Sequence, residues 1–257
     1  MNLRKFRRVA SVAALILLTN QFSAHAAGSG RPAIVLVHAA LMDGSSWNKV
    51  IAILQRAGLR AIAVQNPLTS LADDVAATER VIAAQDGPVV LVGHSWGGSV
   101  ITQAGANSKV KALVYVAATA PAKGQSVADL LKNAPPTPGG EEIKPDAAGY
   151  LTMSPEGFVK DFAPDLPPVE AGVLAVSQAP IAGKAFAEPV TVAAWQAKPS
   201  WYIVAGQDRM MPAELERSMA ATIKARTVTI PASHALILSH PQEVAATIIE
   251  AANSVGK

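Results

Sequence analysis

The chain of 257 residues contains no cysteine, and only 16% of its residues are charged and 5% are aromatic. The absence of cysteine excludes disulfides, thiolate nucleophiles and cysteine-ligated metals. The formal net charge is +3, and several of the cations lie in the first eight residues, so the remainder is close to neutral. Nucleic-acid binding needs clustered basic residues, and we therefore expect no nucleic-acid partner.

The sequence also lacks, near its start, an apolar run long enough to cross a bilayer. The run from Val9 to Leu18 has about ten residues, whereas a membrane-spanning helix needs about 20. It follows the basic segment MNLRKFRR and precedes Ala24-His25-Ala26, in which two small residues flank the histidine as in a cleavage site. This order predicts a secretory signal peptide over residues 1–26, with a mature chain that begins near Ala27 in the periplasm or outside the cell. An uncleaved anchor is the alternative; after cleavage, no stable membrane insertion is expected.

Half of the residues are hydrophobic, which at this length favours one sizeable domain over residues 27–257. Short apolar, β-branched segments predict strands at 33–37, 61–64, 89–92, 112–117, 201–205 and 227–230. Amphipathic segments between them predict helices at 46–57, 71–84, 98–106, 213–223 and 241–252. Apolar strands that alternate with helices predict an α/β fold, in which a mostly parallel sheet is covered by helices on both faces.

The alternation stops between residues 121 and 194. This region is rich in proline and contains only short helical candidates, such as Val127–Lys132 and Pro155–Phe162. A disordered linker is one interpretation, but aromatic residues such as Tyr150 and Phe186 argue against it. We predict a small lid inserted between two strands of the sheet, since long loops are common in lids.

A nucleophilic serine is indicated by the segment VVLVGHSWGG, residues 89–98. The pattern Gly-x-Ser-x-Gly at a junction between a strand and a helix is the nucleophile elbow, a turn so tight that the serine backbone is strained. Gly93 and Gly97 lack side chains that would collide with the neighbouring helix and strand. Because an apolar strand precedes the motif and a helix of small residues follows it, we predict that Ser95 is the nucleophile.

A serine nucleophile needs a base, and five histidines are candidates. His25 lies in the predicted signal peptide, and His94 adjoins the serine and points away from its hydroxyl. His38 ends the first strand, where it can hold the following loop by hydrogen bonds. His234 follows the strand TVTI at the same sheet edge as the serine, and we prefer it to His240, which precedes the last helix.

The base needs a carboxylate that orients it. Asp208 comes directly after a strand, and the order serine, aspartate, histidine is the one that this elbow motif accompanies. A surface ion pair with Arg209 is the alternative role for Asp208. Asp43 precedes the serine and lies in a turn-like Asp-Gly. The other acids considered lie in the lid, where we expect them to be solvated: Asp129, Asp146, Asp161 and Asp165.

The negative charge of a tetrahedral intermediate needs backbone N–H donors. One donor is expected to be the amide of Trp96, directly after the nucleophile. The second is expected from the loop after the first strand, from Ala40 or Ala39. The sequence has no metal-ligand spacing, so no metal or organic cofactor is expected.

With these residues placed, the chain resembles the α/β-hydrolase superfamily over nearly all of its mature length. It looks most like the small-lid esterases akin to plant methylesterases and hydroxynitrile lyases. The resemblance rests on VLVHAALMDGSSWNKVI, LVGHSWGG, PSWYIVAGQDRMMP and SHALILSHP. It implies a catalytic triad of Ser95, Asp208 and His234, with the oxyanion loop after His38.

One departure from that family is visible in the first loop. Relatives usually carry His-Gly, whereas this chain has His38 and Ala39. Hydroxynitrile lyases have a threonine at this site that touches substrate. Ala39 offers no hydroxyl, which counts against lyase chemistry.

The resemblance and the candidate residues together imply a serine hydrolase of small to medium, apolar carboxylic esters that works through an acyl-enzyme. The alternatives are C–C bond, amide or perhydrolase chemistry by the same triad, and a non-catalytic ligand-binding protein. The residues expected to bind substrate are Met42, Met210, Met211, Leu151, Phe158 and Phe162. For each of them, ordinary packing in the hydrophobic core is the alternative role.

Overall fold

The structure is a computed structural model that describes residues 30–255. The predicted signal peptide, residues 1–26, therefore lies outside the described residues. The nine strands of the described chain are β1 (Ala33–Val37), β2 (Ala61–Ala63), β3 (Val89–His94), β4 (Val110–Val116), β5 (Ile143–Pro145), β6 (Tyr150–Met153), β7 (Ile181–Ala182), β8 (Ser200–Ala205) and β9 (Arg226–Ile230).

Helices connect most of the strands. In the described chain they are α1 (Asn48–Arg56), α2 (Leu71–Ala83), α3 (Gly97–Ala104), α4 (Val127–Leu131), α5 (Pro138–Glu142), α6 (Pro155–Gly157), α7 (Pro168–Val176), α8 (Ala213–Thr222), α9 (Leu236–Ser239) and α10 (Pro241–Ser254). Short 3₁₀ turns at Gly44–Trp47, Gly183–Ala187 and Ala194–Gln196 and a π-helical turn at Phe158–Phe162 complete the regular structure. Between residues 30 and 255, no helix combines the length and the apolar character that a bilayer crossing requires.

The main sheet confirms the predicted α/β fold. Its six strands lie in the order β2-β1-β3-β4-β8-β9, and each neighbouring pair runs parallel. All residues of β3 and β8 are buried, as the unbroken apolar sequences predict for strands covered on both faces. β9 is different, because it is an edge strand with four exposed residues and one buried residue.

The strand order places one crevice at the carboxyl edge of the sheet. The chain leaves β1 toward one side of the sheet and β3 toward the other, so their following loops diverge. Ligands in open parallel sheets bind where the strand order reverses in this way. The predicted oxyanion loop follows β1 and Ser95 follows β3, so both lie at this reversal.

Residues 121–194 form a separate small layer between β4 and β8. The predicted helices at 127–132 and 155–162 are present as α4 and as α6 with the π-helical turn. The helices α5 and α7 and the three-stranded antiparallel sheet β5-β6-β7 were not predicted from the sequence. These strands have only two to four residues, which is too short for a periodic pattern to appear.

The turn between β3 and α3 is closed by close backbone contacts. A Cβ on Gly93 would lie 2.5 Å from the carbonyl oxygen of Gly97, and a Cβ on Gly97 would lie 2.5 Å from that of Val37. A Cβ on Gly98 would meet the carbonyl oxygen of Thr119. Glycine is therefore required at all three positions by space, although none of them has a positive φ.

We expect the substitution Gly93→Ala to lower the free energy of unfolding by about 1–3 kcal/mol or more, because the added methyl group meets main-chain atoms that cannot move away. Gly172→Ala is the matched control, since a Cβ there has nothing within 4 Å. As Gly172 lies in α7, alanine should leave stability unchanged or raise it by about 0.5–1 kcal/mol. Urea unfolding of both variants checks this, and equal stabilities would contradict the close packing of the turn.

Candidate active site

Ser95 lies in the turn between β3 and α3 with a left-handed backbone conformation, φ 53°. Such a conformation is uncommon for a residue with a Cβ and indicates a backbone fixed by its surroundings. The Ser95 carbonyl accepts hydrogen bonds from the amides of Gly98 (2.9 Å) and Thr119 (3.2 Å), and its own N–H donates to Val116 (3.2 Å). These bonds hold the main chain while the side chain faces a cavity.

His234 and Asp208 form a buried pair at the same edge of the sheet. Nδ1 of His234 lies 2.5 Å from Oδ2 of Asp208, and the two side chains are 3% and 0% exposed. Oδ1 of Asp208 accepts the amides of Met210 (2.6 Å) and Met211 (3.0 Å). Burial acts to raise the pKa of Asp208, but the adjacent His234 and these hydrogen bonds outweigh it, and the pKa is lowered.

Ser95 and His234 line the same cavity, which has a volume of about 90 Å³. Among the hydrogen bonds of residues 30–255, none joins the Ser95 hydroxyl to the His234 ring. The arrangement thus consists of a closed His234–Asp208 pair that shares a cavity with the serine. Hydrogen bonds between a nucleophile and its base are often long before a substrate binds, so the missing bond does not exclude proton transfer between these two side chains.

Besides Asp208, the neighbours His94 and Phe162 hold His234 in position. Nε2 of His94 lies 2.8 Å from the His234 carbonyl oxygen, so the His94 ring is turned away from the serine hydroxyl, as expected. Burial, and then the charge of His234, lower the pKa of His94 to about 3, so it is a neutral donor in this bond. The Phe162 ring meets the His234 ring edge to face at 4.9 Å.

Asp165 of the inserted layer holds the loop that carries His234. Its two oxygens accept the Ser233 amide (2.8 Å) and the Ser233 hydroxyl (2.5 Å). The Ser239 hydroxyl donates to the same carboxylate at 2.9 Å. Asp165 is exposed but bonded, so the segment 121–194 is tied directly to the residue beside His234.

The expectation of a solvated Asp161 is wrong. Its side chain is 2% exposed and forms an ion pair with Nε of Arg209 at 2.7 Å. Sequence reasoning placed it in a proline-rich segment and could not see that this segment folds back onto the loop after β8. This ion pair also excludes the alternative role of Asp208 as the partner of Arg209. Arg209 binds Asp161, and Asp208 binds His234.

The loop after β1 lies beside Ser95 and is held by His38. His38 Nδ1 lies 2.8 Å from the carbonyl oxygen of Ala39, and its Nε2 accepts the Asn66 amide at 3.0 Å. Burial lowers the pKa of His38, so its ring is a neutral bridge, which is the loop-holding role expected of it. Ala40 lines the cavity, whereas Ala39 is fully buried.

Asp74 was not among the residues that the sequence singled out. It is fully buried, and its Oδ2 accepts the indole N–H of Trp96 at 2.7 Å while Oδ1 accepts the Leu68 amide at 2.8 Å. Trp96 lines the cavity and packs against Phe186 at 5.4 Å between rings. Asp74 therefore fixes the side chain directly after Ser95.

The signal for Asp74 was present in the sequence. The buried residues of α2 include Leu71, Asp74, Val75 and Thr78, which share one helix face. An acid within an otherwise core-facing stripe needs a buried partner. That rule would have found Asp74, although it would not have named Trp96.

The cavity wall is mostly apolar. Of the residues predicted to bind substrate, Met210, Met211 and Phe162 line it. Met42 and Phe158 are buried, Leu151 is half-buried, and none of the three belongs to the lining. The sequence did not single out the remaining apolar lining residues, which are Leu41, Val127, Leu131, Ile143 and Phe186.

His240 and Asp43, the other residues considered for the base and for its carboxylate, have structural roles elsewhere in the fold. His240 is the N-cap residue of α10, and its Nδ1 lies 2.9 Å from the Ser239 hydroxyl. Asp43 caps the 3₁₀ turn at 44–47, where its carboxylate accepts the Ser45 amide at 2.7 Å. Both have structural roles that account for them without chemistry. In the described part of the chain, no cluster of three or more histidine and acidic side chains is arranged to hold a metal ion.

Residues 34–247 match the alpha/beta hydrolase family. The chain therefore belongs to that family of hydrolases, as the resemblance in the sequence implied.

Individual relatives are more distant. The chain is 27% identical over 244 residues to the probable hydrolase R7 of Phoma sp. (strain ATCC 20986 / MF5453), an alignment that covers 86% of this chain and 98% of that protein. It is 27% identical over 251 residues to a pyrethroid hydrolase of Sphingobium wenxiniae, with 86% and 88% covered.

Solved structures agree with the fold. A pyrethroid hydrolase from Sphingobium faniae JZ-2 is similar with a TM-score of 0.74 at 23% identity, covering 87% of this chain and 98% of that one. Polyneuridine aldehyde esterase is similar with a TM-score of 0.74 at 18% identity, covering 86% and 98%. The predicted α/β-hydrolase fold is thereby confirmed.

The buried Asp74 generates a prediction on stability. Burial raises its pKa from 3.8 to about 6, against the opposing hydrogen bond from Trp96. The folded protein therefore binds this proton more tightly than the unfolded chain. The contribution to stability is full below about pH 4 and is lost as pH rises through 6, on the order of 2 kcal/mol. The free energy of unfolding of wild type relative to Asp74→Asn should thus fall between pH 4 and 7.

Asp73→Asn is the matched control for this measurement. The Ser70 and Thr69 hydroxyls bond to the exposed Asp73 carboxylate and lower its pKa, so its contribution is lost as pH falls. Wild type relative to Asp73→Asn should therefore gain stability as pH rises from 3. Urea unfolding at a series of pH values measures both, and the same slope for the two pairs would contradict the burial of Asp74.

Proposed function

We propose that the protein is a serine hydrolase that cleaves small to medium, apolar carboxylic esters through an acyl-enzyme intermediate. The observation that carries the proposal is the His234–Asp208 bond of 2.5 Å beside a cavity into which the strained Ser95 also opens. A histidine oriented by a carboxylate next to an exposed serine hydroxyl is the arrangement that nucleophilic acyl transfer requires.

The reaction follows from the positions of the three side chains. Nε2 of His234 takes the proton of the Ser95 hydroxyl as Oγ attacks the acyl carbon, and Asp208 stabilises the resulting imidazolium through Nδ1–H. His234 then gives that proton to the leaving alkoxide, which departs as the alcohol. Water, deprotonated by His234, attacks the acyl carbon of the Ser95 ester; the proton returns to Oγ and the acid is released.

Two main-chain amides would donate hydrogen bonds to the oxyanion of each tetrahedral intermediate and stabilise its negative charge. Trp96 directly follows the nucleophile at the N-terminus of α3, where amides lack partners within the helix. Ala40 is the better candidate for the second donor, because it lines the cavity whereas Ala39 is fully buried. Loss of one such donor typically costs about 3 kcal/mol of transition-state stabilisation.

The substrate class is inferred from the cavity. Its lining is mainly leucine, valine, isoleucine, methionine and phenylalanine, so the groups bound beside Ser95 are expected to be apolar. The cavity volume of about 90 Å³ is small beside the roughly 300–1,000 Å³ of typical ligand pockets, which favours a short acyl or alkyl group next to Ser95. The names of the similar pyrethroid hydrolases and of the similar esterase support a hydrolase of esters.

The substitution Ser95→Ala is expected to lower kcat/KM for p-nitrophenyl butyrate by at least about 10³-fold, because the members of a triad act as a unit. A fluorophosphonate probe should label the wild type and fail to label this variant. Ser218→Ala, an exposed serine on α8, is the control and should keep full activity and labelling. Ester hydrolysis retained by Ser95→Ala would show that the nucleophile has been wrongly assigned.

A panel of amides and β-diketones, run beside the esters, separates the proposed reaction from others that the same triad could perform. Faster C–C or amide cleavage with negligible ester turnover would replace the ester proposal. Absence of both labelling and turnover would favour a protein that binds ligands without catalysis.

We also propose that the enzyme acts in the periplasm or outside the cell. The proposal rests on the sequence of residues 1–26, with its basic start, short apolar run and small residues before Ala27. When the full chain is expressed in a Gram-negative host, mass spectrometry of the periplasmic fraction should find a protein that begins near residue 27. An intact chain that starts at Met1 and stays in the cytoplasm would contradict export.

A further inference from the structure

A second buried acid, Glu216, lies behind the His234–Asp208 pair. It belongs to α8, and its side chain is fully buried although its neighbours Glu214 and Arg217 are exposed or half-exposed. Oε2 accepts the amide of Ala205, the last residue of β8, at 3.0 Å. Oε1 is buried and receives no hydrogen bond from a donor in the described chain.

Glu216 lies next to the turn that carries Asp208, because Ala205 bonds to both residues: its amide donates to Oε2 of Glu216, and its carbonyl accepts the Asp208 amide at 3.2 Å. Each carboxyl group therefore affects the charge of the other. Two ionised carboxylates can only accept, so a bond between them requires a proton on one of the two. Asp208 already accepts from His234 and from two main-chain amides, all of which favour its charged form. Glu216 accepts from one amide alone, so the proton belongs to Glu216.

The charges around Glu216 lead to the same assignment. Burial, and then the negative charge of Asp208, raise the pKa of Glu216 well above its ordinary value. Arg217 is the adjacent cation, but it pairs with Glu214 at 2.5 Å and is 42% exposed. The Tyr202 hydroxyl, which faces the same region from β8, donates to the Ala118 carbonyl and is not available to Glu216.

We infer that Glu216 is a protonated positioning residue that donates a hydrogen bond to the Asp208 carboxylate and holds it in place for His234. This inference rests on the proposed function, in which Asp208 orients the base. The donor adds to the two amides on Asp208 and offsets part of the cost of burying its charge. Because Glu216 is neutral, it adds this support without adding a second negative charge beside the imidazole.

The direct test is infrared difference spectroscopy of wild type against Glu216→Gln. We expect a carbonyl band of a protonated carboxylic acid that persists at pH 8 and is absent from the variant. Its absence from the wild type at pH 8 would overturn the inference. This measurement needs no turnover, so it stands or fails separately from the assignment of Ser95 and of the ester reaction.

The pH profile of kcat/KM for the butyrate ester gives a second readout, because its acid limb reports protonation of the general base. Glutamine at position 216 keeps a neutral donor for Asp208 and an acceptor for the Ala205 amide. The acid limb of the Glu216→Gln profile should therefore have its midpoint within about 0.3 pH unit of the wild-type midpoint. If Glu216 were ionised, removing its charge would move the limb to lower pH by about 1 unit or more and overturn the inference.

Glu216→Met removes the donor but keeps a side chain of similar length. We expect kcat to fall about tenfold, with KM within about twofold, and the acid limb to move to higher pH because Asp208 loses a donor. An unchanged kcat and profile in a folded Glu216→Met variant would overturn the positioning role. If this variant does not fold, the comparison of wild type with Glu216→Gln decides the matter alone.

Discussion

The left-handed turn at Ser95 is the constraint on which the site depends. A fully buried strand ends there and a helix begins two residues later, which is possible only because Gly93, Gly97 and Gly98 leave space for main-chain contacts. The turn exposes one hydroxyl above a sheet edge that is otherwise closed. It also places the Trp96 amide beside that hydroxyl. A relaxed backbone at Ser95 would move its hydroxyl away from this amide.

Around this turn, buried or hydrogen-bonded acids hold the side chains next to the candidate catalytic residues. Asp74 holds the Trp96 indole, Asp165 holds Ser233 next to His234, and Asp161 holds Arg209 next to Asp208. Each carboxylate is bonded by N–H or O–H donors, which offsets the cost of removing it from water. The rigidity of the site thus comes from side-chain bonds between loops that are distant in sequence.

Residues 121–194 contribute to the site in two ways. Val127, Leu131, Ile143 and Phe162 supply one wall of the cavity. Asp161 and Asp165 tie the segment to the loops after β8 and β9. The inserted segment therefore forms part of the cavity wall and is bonded to the loops that carry Asp208 and His234.

The sequence alone predicted the strands of the main sheet and the candidate site residues that follow them. Ser95, Asp208 and His234 each follow a recognisable apolar strand, and parallel strands bring their carboxyl ends to one edge. The sequence could not locate Asp161, Asp165 or the short strands β5–β7, because their partners are decided by how a proline-rich segment folds back.

Asp74 and Glu216 are a different case. Each lies on the buried face of its helix, Glu216 together with Met219 and Ala220. An acid in such a stripe is visible in the sequence as a break in the apolar pattern. The pattern indicates that the acid has a buried hydrogen-bond partner. It does not identify that partner, because the partner belongs to another strand or loop.

The arrangement of the three side chains around a reacting centre is the central claim, and a crystal structure of the protein trapped with a phosphonate ester tests it most directly. The account predicts a covalent bond from phosphorus to Oγ of Ser95 and Nε2 of His234 within hydrogen-bonding distance of the ester oxygens. It also predicts a phosphonyl oxygen at about 2.7–3.1 Å from the Trp96 amide. Phosphorus bonded to another residue, or a His234 ring turned away from Ser95 in the adduct, would contradict it.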